Sequence, residues 1–598
     1  MKLNKFLLSA IAAASLTACS DSTDVVDSNK GHWNADGTGY VSLSISMPDN
    51  VGSKGSRAAN DAFVKGDDKE YVVNNATLVI FSGNKSDSEG EYTLDAAYKL
   101  PLNFQTINGN DKQIISKATI TQQINKISKA KAKALVILNL PSGLSLDDSK
   151  HELSKVSTTG NTTLNGTTFT NFQAIALTLN TDVANGFTMT NAPLTNAYSA
   201  ATGLMPEATT KTTTTLADIK EGSIKNTPEE AAANKAADIY VERSVAKVTV
   251  KKGEHLKTHI STNTEINCEV NQFALDNTNS TSFLVRNVDN SWAGLVSNST
   301  TVNSLQDKYR FVGFTEVETG KGYRTYWAKD PNYENKLENA LSTSAFSGLG
   351  EDKPLYCMEN TFDVAHQTNA NTTRAIVKVQ LWKNAADKGK TYYMYNNDAS
   401  TFDLQGTKLE ENTNLLAAAN KIALVVANNK TVTAFEFEDA KDKNGNILKG
   451  YKQIKNVTID GVKVGTGEIF ESIKNYFGNI AVYENGYAYY PVLIKHFGDV
   501  LTPWNKDEYG DATNAPVSST EINKIYPGDA NKQDNNYLGR YGVVRNNWYE
   551  LTVNNVKKLG KPGINTPDNT PDDELDSYIS VSINILSWAK RSQDVDLQ

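Results

Sequence analysis

Two octets at opposite ends of the chain set the tightest limit on its fold. Residues 40–47 read YVSLSISM and residues 578–585 read YISVSINI. Each opens with Tyr and then alternates an apolar residue with Ser or Asn. On a strand, successive side chains point to opposite faces, so this period of two sorts each octet into an apolar and a polar face. Val41, Leu43, Ile45 and Met47 share the apolar face of the first octet. Ile579, Val581, Ile583 and Ile585 share that of the second, and Trp588 follows them. Each strand needs an apolar groove beneath it and hydrogen-bonding partners at its edges. Burying four such side chains contributes about 6–12 kcal/mol before ordering costs, at about 1.5–3 kcal/mol each.

The text between the octets is of the same kind. YVVNNATLVIF (71–81), KALVILNL (133–140) and IYVERSVAKVTV (239–250) read as strands. So do INCEVNQFAL, AIVKVQLW, TAFEFE, GYAYYPVLI and NNWYELTVNNV, with turn text such as DKNGN (442–446) between them. NTPEEAAANKAADIY carries the start signal of a short helix at Pro228, and residues 157–215 are Thr-rich and poorly periodic. A chain of 598 residues requires more than one domain. Strands without regular βαβ alternation make those domains all-β sandwiches. A net charge of −8 without a basic cluster argues against a nucleic-acid partner.

The N-terminus reads as an export leader. Lys2 and Lys5 precede an apolar run, Phe6 to Leu16, that is too short to span a membrane. Leu16-Thr17-Ala18-Cys19 then resembles a bacterial lipobox, in which Cys19 is acylated and becomes the new N-terminus.

A search for catalytic or metal chemistry finds little. His255 and His259 in EHLKTH have the spacing of two zinc ligands on a helix, but Leu256 stands where a HExxH motif needs Glu, and no third ligand is signalled. On a strand the pair would lie roughly 13 Å apart. Asp442, Asn444 and Asn446 imitate the start of a calcium loop, which then fails at Ile447 and Gln453, so a hairpin turn is the preferred reading. Cys268 and Cys357 either pair or stay free; as thiols they read as inert core residues rather than nucleophiles. CxxC, GxSxG and phosphate-loop motifs are missing from the sequence. The expectation is a protein that is not an enzyme and uses no cofactor or metal.

The surroundings of the two octets suggest why the pattern occurs twice. The first precedes PDNVGSKGSRAAND, a small-residue loop open to cutting between Arg57 and Ala58 by an Arg-specific protease, with Lys54 as an alternative site. The second follows GKPGINTPDNTPDDELDS (560–577), a Pro/Asp-rich segment read as a tether that extends about 50–60 Å. The first strand would fill a groove in its own subunit during export. Cleavage would release it, lipid included, and the second strand of another copy would replace it. This is donor-strand complementation, and a head-to-tail contact of this kind builds an open filament. On this reading both octets are tenants of one slot, and an uncut monomer should not hold both in separate sheets.

The leader, the lipobox, SLSISMP followed by GSRA, IYVERSVAKV (239–248), YCMENT (356–361), GVVRNNWYELTVNNVKKLG (542–560) and the terminal ISVSINILSWAKRSQDVDL resemble the fimbrillins of Bacteroidetes, subunits of type V pili. Within them the chain is most similar to the Mfa-type stalk subunits of the Porphyromonas minor (short) fimbria. The resemblance implies an all-β fold of two transthyretin-like β-sandwich domains with a removable N-terminal strand and a C-terminal donor strand. The expected division is a signal peptide at 1–19, a propeptide at 20–57, and an N-terminal sandwich at 58–238. A C-terminal sandwich at 239–560, a linker at 561–577 and a donor strand with tail at 578–598 complete it. The resemblance also implies lipid-linked export to the outer membrane, cleavage at Arg57–Ala58 and polymerisation into a surface fimbria. Expected partners are other copies of the chain, anchor and tip fimbrillins, the Arg-specific protease and a receptor of unstated identity, in the service of adhesion, biofilm formation, colonisation and virulence. The alternatives are a lipid-anchored monomeric binding protein, for example of glycans, and a tip or anchor fimbrillin.

Overall fold

The alternating runs form strands, as their period requires. The structure is a computed structural model in which residues 32–46, 66–101, 117–196, 212–288, 311–313, 323–325, 328–333, 341–342, 344–362, 366, 368–404, 408–427, 429–496, 541–567 and 579–587 are described. Seven strands position the candidate site: β1 (Thr38–Ser46), β2 (Lys117–Asn125), β3 (Ala237–Arg243), β4 (Val245–Lys252), β5 (Leu355–Met358), β6 (Asn547–Val556) and β7 (Ile579–Ser587).

The first large sheet has eight strands. Its order is 93–99, 76–83, 131–138, 189–191, β3, β1, β2, with 217–219 added onto 131–138. Its central strands 76–83 and 131–138 are buried on both faces. Leu78, Ile80, Val136 and Leu138 share one core with Val41, Leu43, Ile45 and Ile239. Val79, Phe81, Leu135 and Ile137 face a second core. The Thr-rich stretch supplies part of that second core through the short helix Phe169–Gln173, whose Phe169 and Phe172 meet the Phe81 ring edge-on at 5.3 and 5.4 Å. The run predicted from residue 71 starts its strand only at Ala76; a capped 3-10 turn, Asp68–Tyr71, precedes it.

A four-stranded sheet, β5-β4-β6-β7, shares one apolar core with a five-stranded sheet built on 263–276, 374–382 and 487–493. Val248, Val250, Tyr549, Leu551 and Val553 of the former meet Val270, Phe273, Val377, Val379 and Tyr490 of the latter. This is a β-sandwich. The run 239–250, expected as one strand, is two. It breaks at Ser244, and there the chain leaves the eight-stranded sheet and enters the sandwich, six residues past the expected boundary after residue 238.

A helical layer departs from the expectation of strands alone. Helices α1 (Thr413–Val426) and α2 (Glu468–Phe477) pack over a five-stranded sheet that includes 432–441 and 447–459. Leu415, Ala419 and Ala423 recur every four residues, and Asn412 caps the start of α1 by accepting from the Leu415 N–H at 3.0 Å. Phe470, Ile473 and Phe477 give α2 the same kind of stripe. This layer apart, the architecture is all-β and multi-domain, with several largely antiparallel sheets.

Candidate functional site

The two octets occupy different berths. β1 lies inside the eight-stranded sheet and is hydrogen-bonded along both edges. It makes nine antiparallel register pairs with β2 and four parallel pairs with β3, from Leu43↔Ala237 to Ser46↔Tyr240. Val41, Leu43 and Ile45 are each 0% exposed. The polar face of this strand is buried too, contrary to the one-sided reading. Ser42 and Ser44 are 0% and 1% exposed, because the helix Pro228–Ala233, entered with Ala231 fully buried, lies against β1 and β2. Their hydroxyls have no hydrogen-bond partner among the described residues. What the position requires is small size beneath a helix. The second octet repeats both serines at the matching places, Ser580 and Ser582.

β7 has its own place. It pairs antiparallel with β6 at the edge of the four-stranded sheet, through nine register pairs from Asn547↔Ser587 to Val556↔Ile579. Ile579 is buried and Val581 is half-buried against the sandwich core, while Ile583 and Ile585 stand opposite Leu551 and Tyr549 in register. The uncut chain thus holds both octets at once, in separate sheets. The expectation that an uncut monomer does not hold both in separate sheets is corrected. The reason lies in β6, whose outer edge and flanking core accept a one-sided strand along one ladder.

The tether is shorter than its composition suggested. Lys561 exchanges backbone hydrogen bonds with Tyr489 at 2.7 and 3.0 Å, and the Asn565 carbonyl accepts from Arg374 Nη2 at 2.7 Å. The backbone of 562–563 lies so close to Gly450 (φ +79°) that a Cβ there would stand 2.6 Å from Pro562 C. Residues 560–567 are therefore part of the body. From Asp568 to Tyr578 a fully extended chain spans only about 36 Å, at about 3.3 Å per residue.

Other expected positions are settled individually. Cys19, Met47, Lys54, Arg57, Ala58 and Trp588 lie outside the described residues. Cys268 and Cys357 are free and buried, and burial pushes their thiols up to about 11 and about 12. His255 sits in a turn and His259 begins a short strand, so the two do not share a helix face. Asp442 closes a hairpin turn, accepting from the Asn444 and Asn446 N–H groups at 2.8 and 2.9 Å.

A feature that sequence reasoning missed lies where β3 passes into β4. Glu70 (0% exposed) reaches Lys247 Nζ at 2.7 Å and accepts from the Tyr356 hydroxyl at 2.5 Å. Burial first, and the Glu70 charge second, push that hydroxyl well above its usual range. Lys247 also stands over the Trp548 ring at 3.9 Å, and Arg243 Nε donates to the Glu70 carbonyl at 3.1 Å. Glu242 holds Arg286 through two bonds of 2.8 Å. Arg545 donates to Glu359 at 2.9 Å and to the Phe283 carbonyl at 2.8 Å. Three of the sequence landmarks, IYVERSVAKV, YCMENT and GVVRNNWYELTV, thus meet in one buried junction. The signal was present: charged residues inside otherwise apolar strands are buried only when paired.

Residues 522–594, which include β6 and β7, match the family model described as "Major fimbrial subunit protein type IV, Fimbrillin, C-terminal". No curated protein matches the chain. Among solved structures, a candidate cell adhesion protein of Parabacteroides distasonis aligns over 93% of this chain and 98% of its own, at 10% identity and a TM-score of 0.35. A candidate cell adhesion protein of Bacteroides eggerthii aligns over 92% and 96%, at 10% identity and 0.30. The fimbrial anchor protein Mfa2 from Porphyromonas gingivalis aligns over 72% and 100%, at 8% identity and 0.19. At these scores the structural likenesses carry no argument. The descriptions of these proteins name cell adhesion and fimbrial anchoring.

Proposed function

We propose that this chain is a stalk subunit of a cell-surface fimbria, exported as a Cys19 lipoprotein and polymerised by strand exchange after cleavage at Arg57–Ala58. The fimbria would serve adhesion, biofilm formation and host colonisation. The observation that carries the reading is the match of residues 522–594 to a fimbrillin C-terminal model, a span that includes the strand that repeats β1. The two berths supply a direction for exchange. At β6 the strand is paired along one edge; in the β1 slot the same alternation is paired along two. Leaving its own edge for a neighbour's vacated slot therefore adds a second hydrogen-bonded ladder, at about 0.5–1.5 kcal/mol per bond. In transthyretin-like terms, the eight-stranded sheet would be the acceptor domain and the β4–β7 sandwich the donor domain. Anchor and tip fimbrillins would complete the fibre.

The occupied β6 edge favours a second reading, a self-contained lipid-held monomer with no need of a donor. Treating purified precursor with an Arg-specific protease separates the two. The stalk reading gives a new N-terminus at Ala58 and a ladder of oligomers resistant to mild denaturant, and the ladder is lost when residues 578–598 are deleted. A cleaved protein that stays monomeric, or a deletion that still assembles, refutes strand exchange.

A further inference from the structure

We infer that the continuous segment Ala237–Lys252, together with β6, is the axis along which the folded subunit transmits tension, and that the buried junction around Ser244 is the clasp holding that axis together. The inference rests on the fimbrial reading, in which each subunit is pulled from both ends. β3 runs parallel to the strand in the β1 slot, and β4 runs parallel to β6. The N-terminal end of β1 therefore points away from the junction at one extreme. The C-terminal end of β6, continuing into the pinned residues 560–567, lies at the other. A pull on those two ends slides strands along one another instead of peeling them apart. The six register pairs from Lys247↔Trp548 to Lys252↔Val553 then share the strain together.

The two sheets meet on this axis at a single residue, whose backbone carries the load while the bonds around it keep the sheets together. Bonds cross it in both directions. On the near side, Arg243 N donates to Asn546 Oδ1 of the segment leading into β6, at 3.4 Å, and Glu242 grips Arg286, which in turn donates to the Arg545 carbonyl at 3.2 Å. On the far side, Lys247 and Tyr356 both hold Glu70, next to the strand 76–83 of the first sheet. Ser244 itself donates twice to the Thr188 carbonyl, from N at 3.0 Å and Oγ at 2.7 Å. Buried ion pairs are poor stabilisers, because desolvation offsets their attraction. Three of them gathered at one crossing point to a task other than stability, and locking two sheets against separation is the task this geometry performs.

Single-molecule pulling on the uncut full chain tests this. Handles at Asp36 and Thr566 load the axis; handles at Lys99 and Gln123, on the two edges of the eight-stranded sheet, load across it. The axial pull should rupture at about twice the transverse force or more, since shear loads a ladder's bonds together and peeling loads them singly. The double variant Glu70→Gln/Lys247→Met removes both charges of one pair. It should bring the axial force down towards the transverse value while leaving the melting temperature and the transverse force nearly unchanged. An axial force no higher than the transverse one overturns the inference, as does a double variant that keeps the full axial force. If the double variant fails to fold, the wild-type comparison alone decides. A chain that never polymerises still returns either answer, so this test and that of the fimbrial reading fail separately.

Discussion

The substitution Ser580→Leu separates the two berths of the C-terminal strand. In its own sheet Ser580 is half-buried at the outer edge, opposite Asn555 in register. A leucine there has room. In the β1 slot the corresponding residue is Ser42, 0% exposed beneath the helix Pro228–Ala233. Three added carbons at that point have no void to enter. Overpacking a filled site costs about 1–3 kcal/mol, which lowers an exchange equilibrium by about 5- to 140-fold. The assay is the oligomer ladder formed after Arg-specific cleavage, quantified against wild type, with the precursor's melting temperature as the control. The expected result is a ladder cut by that factor and a melting temperature within a degree or two of wild type. Ladders at wild-type yield would show that Ser580 never occupies the position of Ser42, and the single-slot argument would go with it.

Ile583→Asp places a charge where Ile45 is fully buried in the matching strand, so it should abolish oligomers outright; assembly at wild-type yield counts against the proposed face. Burial raises the Asp330 carboxyl to about 7 against hydrogen bonds from the Thr361 and Asn332 N–H groups, so this group's stabilisation is full below about pH 4 and is lost as pH rises to 7. Asp330→Asn should flatten that part of the melting-temperature profile relative to wild type. Burial, and then Arg286, lowers His496 to about 3, which gives the opposite trend: its stabilisation is present above pH 6.5 and is lost as pH falls to 3. His496→Phe should remove that low-pH loss, and an unchanged profile in either variant refutes the corresponding assignment.

The parts of the fold that were legible in the sequence are the strands announced by alternating apolar residues. β1, β6, β7 and the strand 374–382 follow their alternation closely. What alternation could not show is which face a neighbouring element covers. Ser42 and Ser44 looked exposed because they are polar, yet a six-residue helix nearly two hundred residues away seals them. The same blindness hid α1. Its Leu415, Ala419 and Ala423 stripe is built partly from alanines, which signal weakly as core residues. The tether was misjudged because Pro and Gly suggested freedom, whereas Gly450 and Gly563 permit the close backbone contact that pins it. The junction charges were readable as an anomaly within strands, but their partners lie up to three hundred residues apart.

If β7 is the donor strand of the proposed exchange, its seat in its own subunit poses a question of order, and the two berths answer it. A free apolar strand would expose Ile579 and its neighbours to any passing edge, the hazard that unpaired strands carry. Seated on β6, it is covered on one side of its ladder and held by a single row of pairs. The β1 slot is closed on both sides until β1 leaves. Exchange before cleavage would trade one ladder for none, because the slot is full; after cleavage it trades one ladder for two. On the strand-exchange proposal, the edge berth would make the uncut chain self-contained and leave polymerisation conditional on the cut. Premature oligomers in precursor that retains residues 38–46 would refute this ordering, and blocking cleavage with Arg57→Ala together with Lys54→Ala should hold the protein as a monomer indefinitely.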